Sequence, residues 1–311
     1  MTTSQHAGVP AAPGDPRPAG IGVIGLGVMG APMAGHILRA GFPVHVSARR
    51  HASAEQLIAA GALWEPSPRS LAATCGVVVL MVPDLPDVEA VLDGPDGLLA
   101  GATAPMLVII SSTVSPEHLR RLDARVRFAT DDRVHLVDAP VSGGQEGAEA
   151  GTLAVMLGGP EADAALARPV LEATGTVAHL GPLGAGQVAK ACNQMIVAAT
   201  VMALGEAAVV AERAGLDVAA MFDLLGQGYA GSQILEVKKA RFAQHDHSPS
   251  GAARFMVKDL GFARQEAALS RTVTPQLDVL QTCFTDLTAQ GFGDQDTSVV
   301  QAWIESLGST G

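Results

Sequence analysis

The pattern of apolar and polar positions divides the chain into two unlike halves. Between Ile21 and about Leu180, short runs of branched apolar residues recur at Ile21–Ile24, Val44–Ser47, Gly76–Val82, Met106–Ile110, Val134–Asp138, Leu153–Leu157 and Val177–Leu180. Several are apolar throughout, which suits strands covered by helices on both faces of a parallel sheet. The segments between them carry Ala, Leu and Arg at amphipathic helix spacing. Strand and helix in alternation predict an α/β domain with a doubly wound sheet. From Gln187 to Trp303 the pattern is helical, with no convincing strand. Its first segment, about Gln187 to Ala214, is apolar on most sides. That predicts a long buried helix running through an all-helical C-terminal domain and into a subunit interface. The chain is therefore divided into a tail over 1–19, an α/β domain over 20–184 and an all-helical domain over 185–311.

The tail is rich in Ala, Pro and Gly and lacks the basic start and apolar run of a signal peptide, so it is expected to be disordered. The most apolar stretch, Met195 to Gly205, is bounded by Gln194 and Glu206 and is too short to span a bilayer, so no membrane partner is expected. With 48% apolar and 16% charged residues, the composition is that of a globular chain. A net charge of −11 disfavours nucleic acid while leaving room for a local basic pocket. Cys75, Cys192 and Cys283 fall in no ligand or disulfide spacing, which predicts three reduced, partly buried thiols and a cytoplasmic protein. His245-Asp246-His247 lies in a polar Ser/Pro/Gly-rich segment, so a solvated loop is expected and no metal. Trp64, Trp303 and Tyr229 are expected to pack, with Tyr229 a candidate neighbour of a substrate.

Gly25-Leu26-Gly27-Val28-Met29-Gly30 is G-x-G-x-x-G, placed directly after the first apolar run and opening a helix through Arg39. In a Rossmann-type domain the first glycine makes the tight turn, the second admits a pyrophosphate to the backbone and the third lets helix and strand pack closely. An NAD site usually carries an acidic residue about 20 positions on. Here no Asp or Glu occurs between Asp15 and Glu55, and the second strand leads into Arg49 and Arg50. A guanidinium matches a 2′-phosphate, so NADP is expected ahead of NAD. The alternative is that both arginines are solvated surface charges.

Lysine is scarce: Lys190, Lys238, Lys239 and Lys258 are the only four. Lys190 stands in an otherwise apolar helical stretch, where burial of an ammonium is costly and favours a role as general acid/base. Asn193 and Gln194 share its helix face and could orient the lysine or a substrate oxygen. A lysine snorkelling to the surface is the competing reading. After the Val134–Asp138 run, Ser142-Gly143-Gly144 offers a hydroxyl and unshielded N–H groups suited to a carboxylate, or forms an ordinary strand-to-helix turn.

Five blocks in order resemble the β-hydroxyacid dehydrogenases: Gly25–Gly35, Ser112–Pro116, Asp138–Leu153, Gly184–Gln194 and Lys258-Asp259-Leu260. The resemblance covers Ile21 to about Ile304. It implies that Lys190 is the catalytic lysine. It further implies that Ser142, Gly143 and Gly144 hold the substrate carboxylate, and that Asn193 and Gln194 assist the lysine and the substrate. For the cofactor it implies contacts from Gly25 to Gly30, from Val82, Pro83 and Thr113 near the nicotinamide ribose, from Arg49 as in NADP-using members, and from Lys258. A homodimer or homotetramer joined through the long helix is implied as well. The expected activity is NADP-dependent interconversion of a small hydroxy acid and its semialdehyde or keto acid.

Three positions depart from the family pattern: His36 and Gln194 replace Asn, and Ile110 replaces Asp. The Asn193-Gln194 pair and Gly228-Tyr229-Ala230-Gly231-Ser232 look closer to tartronate semialdehyde reductase than to 3-hydroxyisobutyrate dehydrogenase. An imine reductase on the same fold, usually without the lysine, is the first alternative. A non-catalytic NADP-binding protein is the second. A 6-phosphogluconate-type enzyme is disfavoured because the helical domain looks too short for it.

Overall fold

The structure, a computed structural model, describes residues 20–308. The expected disordered tail over 1–19 lies outside the described residues. Two compact units are formed, the first ending at Lys190 and the second beginning at Ala191.

In chain order the first unit runs β1 (Ile21–Ile24), α1 (Gly30–Arg39), β2 (Val44–Ser47), α2 (Glu55–Ala59), β3 (Leu63–Trp64), α3 (Pro68–Ala72), β4 (Val77–Leu80), α4 (Leu85–Leu92), α5 (Leu98–Gly101), β5 (Met106–Ile110), α6 (Pro116–Ala129), β6 (Val134–Asp138), β7 (Val141–Ser142), α7 (Gly144–Ala150), β8 (Leu153–Leu157), α8 (Glu161–Glu172) and β9 (Gly175–His179). Six strands form a parallel sheet in the order β3-β2-β1-β4-β5-β6, the expected doubly wound arrangement. Side chains alternate across each strand, which explains why the runs are apolar throughout. Val77, Val79, Leu107, Ile109 and Val137 enter the core on one face. Val78, Leu80, Val108, Ile110 and Leu136 enter the core on the other. The register places the strand ends Ser47, Ile24, Leu80, Ile110 and Asp138 in one row. Whatever follows those five residues therefore emerges along one edge of the sheet.

Two features differ from the sequence expectation. The runs Leu153–Leu157 and Val177–Leu180 do not extend the parallel sheet. As β8 and β9 they form a separate three-stranded sheet with β7, which is antiparallel to β8. The cause is the turn at Ala139-Pro140, where the chain reverses and Met156 N–H donates to the Pro140 carbonyl at 3.0 Å. The third predicted strand also stops short of Val82, because the Val82 N–H leaves the ladder to donate to Ser112 Oγ at 3.0 Å.

Helix α9 (Ala185–Arg213) spans the boundary between the units. The second unit continues with α10 (Val218–Leu225), α11 (Gln233–Gln244), α12 (Arg254–Leu269), α13 (Pro275–Leu287) and α14 (Val300–Leu307). Asp217 and Ser232 cap α10 and α11 through their side chains, and Pro275 opens α13, so local chemistry sets these boundaries. Ala198, Val201, Met202 and Leu204 of α9 pack into the core of this unit with Phe222, Phe242 and Phe284. The helix is not buried all round as its composition suggested, since Ile196 and Val210 are 67% and 68% exposed. Its 29 residues are long and apolar enough to cross a membrane, unlike the shorter stretch judged from sequence. Half of that stretch is buried, as in the core helix of a folded unit.

Candidate active site

The glycine turn shows a division of labour among its three glycines. Gly25 has a φ of +97°, and a Cβ there would fall on the Met81 carbonyl. A Cβ on Gly30 would fall on the carbonyl of Gly25. Gly27 has nothing within 4 Å of its Cβ position, so its surface stays open for a ligand to approach. Leu26 and Met29 lean on the core, while Val28 is 61% exposed. No side chain caps the start of α1; Ala31 N–H donates to the Gly27 carbonyl at 3.1 Å and Pro32 has no N–H, so at the helix start it is the Gly30 N–H that could meet an anion. The turn lies where β1 and β4 adjoin and the strand order reverses, the usual place for a ligand in such sheets. Val82 and Pro83 follow β4, and Thr113 follows β5, at the same edge. Arg49 and Arg50 follow β2, both exposed, and neither makes an ion pair among the described residues. These residues fit a dinucleotide: a backbone cradle without a side chain at Gly27, and exposed guanidinium groups one strand away.

In the same row of strand ends, Asp138 ends β6 and is fully buried. Its Oδ1 accepts from Gly184 N–H and its Oδ2 from Gln187 N–H, both at 2.7 Å. Burial pushes this carboxyl up to about 6, against the two N–H donors, which pull it down. Gln187, 1% exposed, accepts from Val114 N–H at 3.0 Å through Oε1 and donates to the Ser112 carbonyl at 2.8 Å through Nε2. Both residues stand within the family-like blocks Asp138–Leu153 and Gly184–Gln194, where the sequence gives no sign of this anchoring. Ser142 is half-buried in β7, and Gly143 and Gly144 are exposed with φ of +139° and +64°. Their backbone is therefore bare where α7 begins. Ile110, in place of the family Asp, is fully buried and paired in register with Asp138. His36 donates through Nε2 to the Glu149 carbonyl at 2.9 Å, which ties α1 to the end of α7.

Lys190 lies one turn beyond Gln187 in α9 and is 8% exposed, so the snorkelling alternative does not describe it. Asn193 and Gln194 follow on the same helix. Asn193 Nδ2 donates to Gln194 Oε1 at 2.9 Å, and Gln194 Nε2 donates to Asp259 Oδ2 at 2.7 Å. Lys258 Nζ donates to the other oxygen of Asp259 at 3.1 Å and lies 5.3 Å from the Phe262 ring centroid. Asp259 was matched by sequence but given no function, and its partner Gln194 stands 65 positions away.

Elsewhere, two expectations fail. Tyr229, expected to pack, is fully exposed among the described residues. The His245–His247 segment is not simply solvated: His247 is buried and its Nδ1 pairs with Ser298 Oγ at 2.9 Å. His245 closes α11 with φ +52° and reaches Glu212 at 2.8 Å. With Glu305 it forms a trio whose ligand atoms lie within 4.8 Å of one another, a grouping that could hold a metal ion. In the structure the imidazole itself bridges the two carboxylates, a sufficient reason for their approach. Of the cysteines, Cys75 is buried, Cys283 half-buried and Cys192 exposed.

Residues 20–184 match the family model described as the NAD binding domain of 6-phosphogluconate dehydrogenase. Residues 184–304 match the model described as NAD-binding of NADP-dependent 3-hydroxyisobutyrate dehydrogenase. Over 289 residues the chain is 37% identical to the NAD-dependent L-serine dehydrogenase of Pseudomonas aeruginosa, covering 90% of this chain and 96% of that one. It is 34% identical to the 2-hydroxy-3-oxopropionate reductase of Escherichia coli, covering 92% and 97%. The crystal structure of a 3-hydroxyisobutyrate dehydrogenase from Salmonella typhimurium matches with a TM-score of 0.83 at 29% identity, covering 91% and 99%. Fold, glycine turn and relatives together define a nicotinamide-dinucleotide-dependent oxidoreductase acting on CH–OH groups. The chain belongs to the β-hydroxyacid dehydrogenase family, as the five sequence blocks implied.

Proposed function

We propose that this enzyme interconverts a small hydroxy acid and its semialdehyde or keto acid, with NADP as its preferred cofactor and Lys190 as the proton-transfer group. The observation that carries the reading is the burial of Lys190 in a chain with four lysines. An ammonium withdrawn from water loses hydration, and a proton-transfer role gives that loss a use. In reduction Lys190 gives its proton to the carbonyl oxygen as charge develops there; in oxidation it takes the hydroxyl proton. The bound dinucleotide supplies or accepts the hydride. Ser142, Gly143 and Gly144 orient the substrate through its carboxylate. Asn193 steadies the reacting oxygen or the lysine, and Gln194, with both ends of its amide engaged, holds Asn193 in place. Gly25 to Gly30 hold the pyrophosphate, Arg49 the 2′-phosphate, and Val82, Pro83, Thr113 and Lys258 the remainder of the cofactor. Exposed Ile196 and Val210 on α9 support a second copy of the chain as partner.

The test is steady-state oxidation of NADPH and NADH with tartronate semialdehyde, methylmalonate semialdehyde, succinic semialdehyde, glyoxylate and a cyclic imine. Lys190→Ala is expected to lower kcat by on the order of 10²–10⁴ while NADPH still binds. Turnover of the imine alone, or a rate indifferent to Lys190, overturns the reading.

A further inference from the structure

Helix α9 begins with a turn whose fixation exceeds what a helix start needs. Capping commonly uses one side-chain oxygen on one N–H. Here both oxygens of a buried carboxylate, Asp138, take the N–H groups of Gly184 and Gln187 at 2.7 Å each. The Gln187 side chain then reaches a different strand end and forms two further bonds, to Val114 N–H and to the Ser112 carbonyl. Ser112 is itself bound through Oγ to Val82 N–H, beyond β4. Glycine makes the approach feasible: a Cβ on Gly186 would stand 2.9 Å from Asp138 Oδ2, and one on Gly158 2.5 Å from Oδ1. Four short hydrogen bonds from two side chains thus tie the first turn of α9 to the ends of β5 and β6. Lys190 follows Gln187 by three residues, on the same face of the helix.

We infer that Asp138 and Gln187 are positioning residues, which fix Lys190 relative to the strand ends that carry the nicotinamide side of the cofactor. The inference rests on the reading of Lys190 as the proton-transfer group. A misplacement of about 1 Å at a reacting group can lower a rate about 100-fold without weakening binding. The two residues act on kcat through Lys190, and touch neither substrate nor cofactor.

The experiment is a double-mutant cycle on the full-length enzyme, using wild type, Asp138→Asn, Lys190→Ala and the double variant. For each, kcat and KM are measured with the best substrate of the panel, together with the Kd for NADPH and the Tm. Asparagine keeps the shape of Asp138 and turns one acceptor into a donor facing an N–H. Asp138→Asn is expected to lower kcat about 10- to 100-fold, with KM and the NADPH Kd moving less than about threefold. In the Lys190→Ala background the same substitution is expected to change kcat less than about twofold, since there is no lysine left to misplace. Gln187→Met, which keeps length and removes both side-chain bonds, is expected to show the same pattern. Equal losses with and without Lys190, or a loss confined to KM, overturn the inference and leave Lys190 in its role. A wild-type kcat in Lys190→Ala overturns both readings. Failure of both Asp138→Asn and Gln187→Met to fold also overturns the inference, assigning the pair to the scaffold alone.

Discussion

Gln194 donates to Asp259 at 2.7 Å, and both side chains are less than a tenth exposed. The carboxylate so engaged also takes the ammonium of Lys258, and Gln194 in turn accepts from Asn193. Two groups of residues that the family resemblance assigns to different ligands, Asn193 with Gln194 and Lys258, therefore share one buried acid. One amide thus spans from Asn193 to Asp259, accepting at one end and donating at the other.

Removing this donor leaves a buried carboxylate short of a partner. Gln194→Leu is expected to destabilise the fold by about 1–3 kcal/mol, read from the midpoint of urea unfolding. Gln194→Asn is expected to lie between the two, because the shortened amide reaches less well. A midpoint unchanged in Gln194→Leu would mean that the bond contributes nothing to the folded state.

The three glycines of the turn should separate stability from binding. Gly25→Ala and Gly30→Ala press a Cβ onto backbone carbonyls, so each is expected to lower the Tm of the cofactor-free protein by several degrees, with backbone strain of roughly 1–3 kcal/mol at Gly25. Gly27→Ala meets no atom within 4 Å. Its stability is expected to stay within about 0.5 kcal/mol of wild type, while NADPH binding, followed by fluorescence, weakens. Unaltered NADPH affinity in Gly27→Ala would place the pyrophosphate somewhere other than this turn.

Arg49 offers a check on cofactor choice. A charge-assisted hydrogen bond to a phosphate is worth about 1.5–3 kcal/mol. Arg49→Ala is accordingly expected to raise the KM for NADPH about 10- to 100-fold, with the KM for NADH nearly unchanged. Equal effects on both cofactors would argue that Arg49 does not meet a 2′-phosphate.

These tests also mark where sequence was informative. The run from Ile21 to Arg39 was legible because strand, glycine turn and helix each announce themselves over a few neighbouring residues. Lys190 was legible only as a choice between a buried and a snorkelling ammonium, since the packing that buries it to 8% exposure is tertiary. Asp138 was visible as a residue but not as an anchor, since its partners lie 46 and 49 positions downstream. Strand β7 is two residues long, too short for periodicity, and its antiparallel pairing depends on a chain reversal at Pro140. His247 and Tyr229 inverted the expectation from residue type: the polar one is buried and the aromatic one exposed. Local composition does not fix exposure where tertiary contacts decide it.

Asp138 gives a prediction whose sign can be worked out. Burial raises its folded-state value to about 6, from 3.8 for a free aspartate. Between those values the folded protein binds more protons at this site than the unfolded chain does. Its contribution to stability is therefore largest below about pH 4, and is lost as pH rises through 6. At about 1.4 kcal/mol per unit the loss amounts to about 3 kcal/mol. Other carboxylates titrate over the same range, so the quantity to measure is the unfolding free energy of wild type minus that of Asp138→Asn, from urea melts between pH 4 and 7.5. The difference is expected to fall by roughly 2–2.5 kcal/mol across that window, because asparagine does not titrate and part of the full loss already lies below pH 4. A difference independent of pH would mean that the carboxyl is neither desolvated nor shifted. If the fall is observed while Asp138→Asn turns over more slowly, the anion is held at the start of α9 at a cost to stability. That combination is expected of a residue whose value lies in positioning Lys190, and not of one that serves the fold alone.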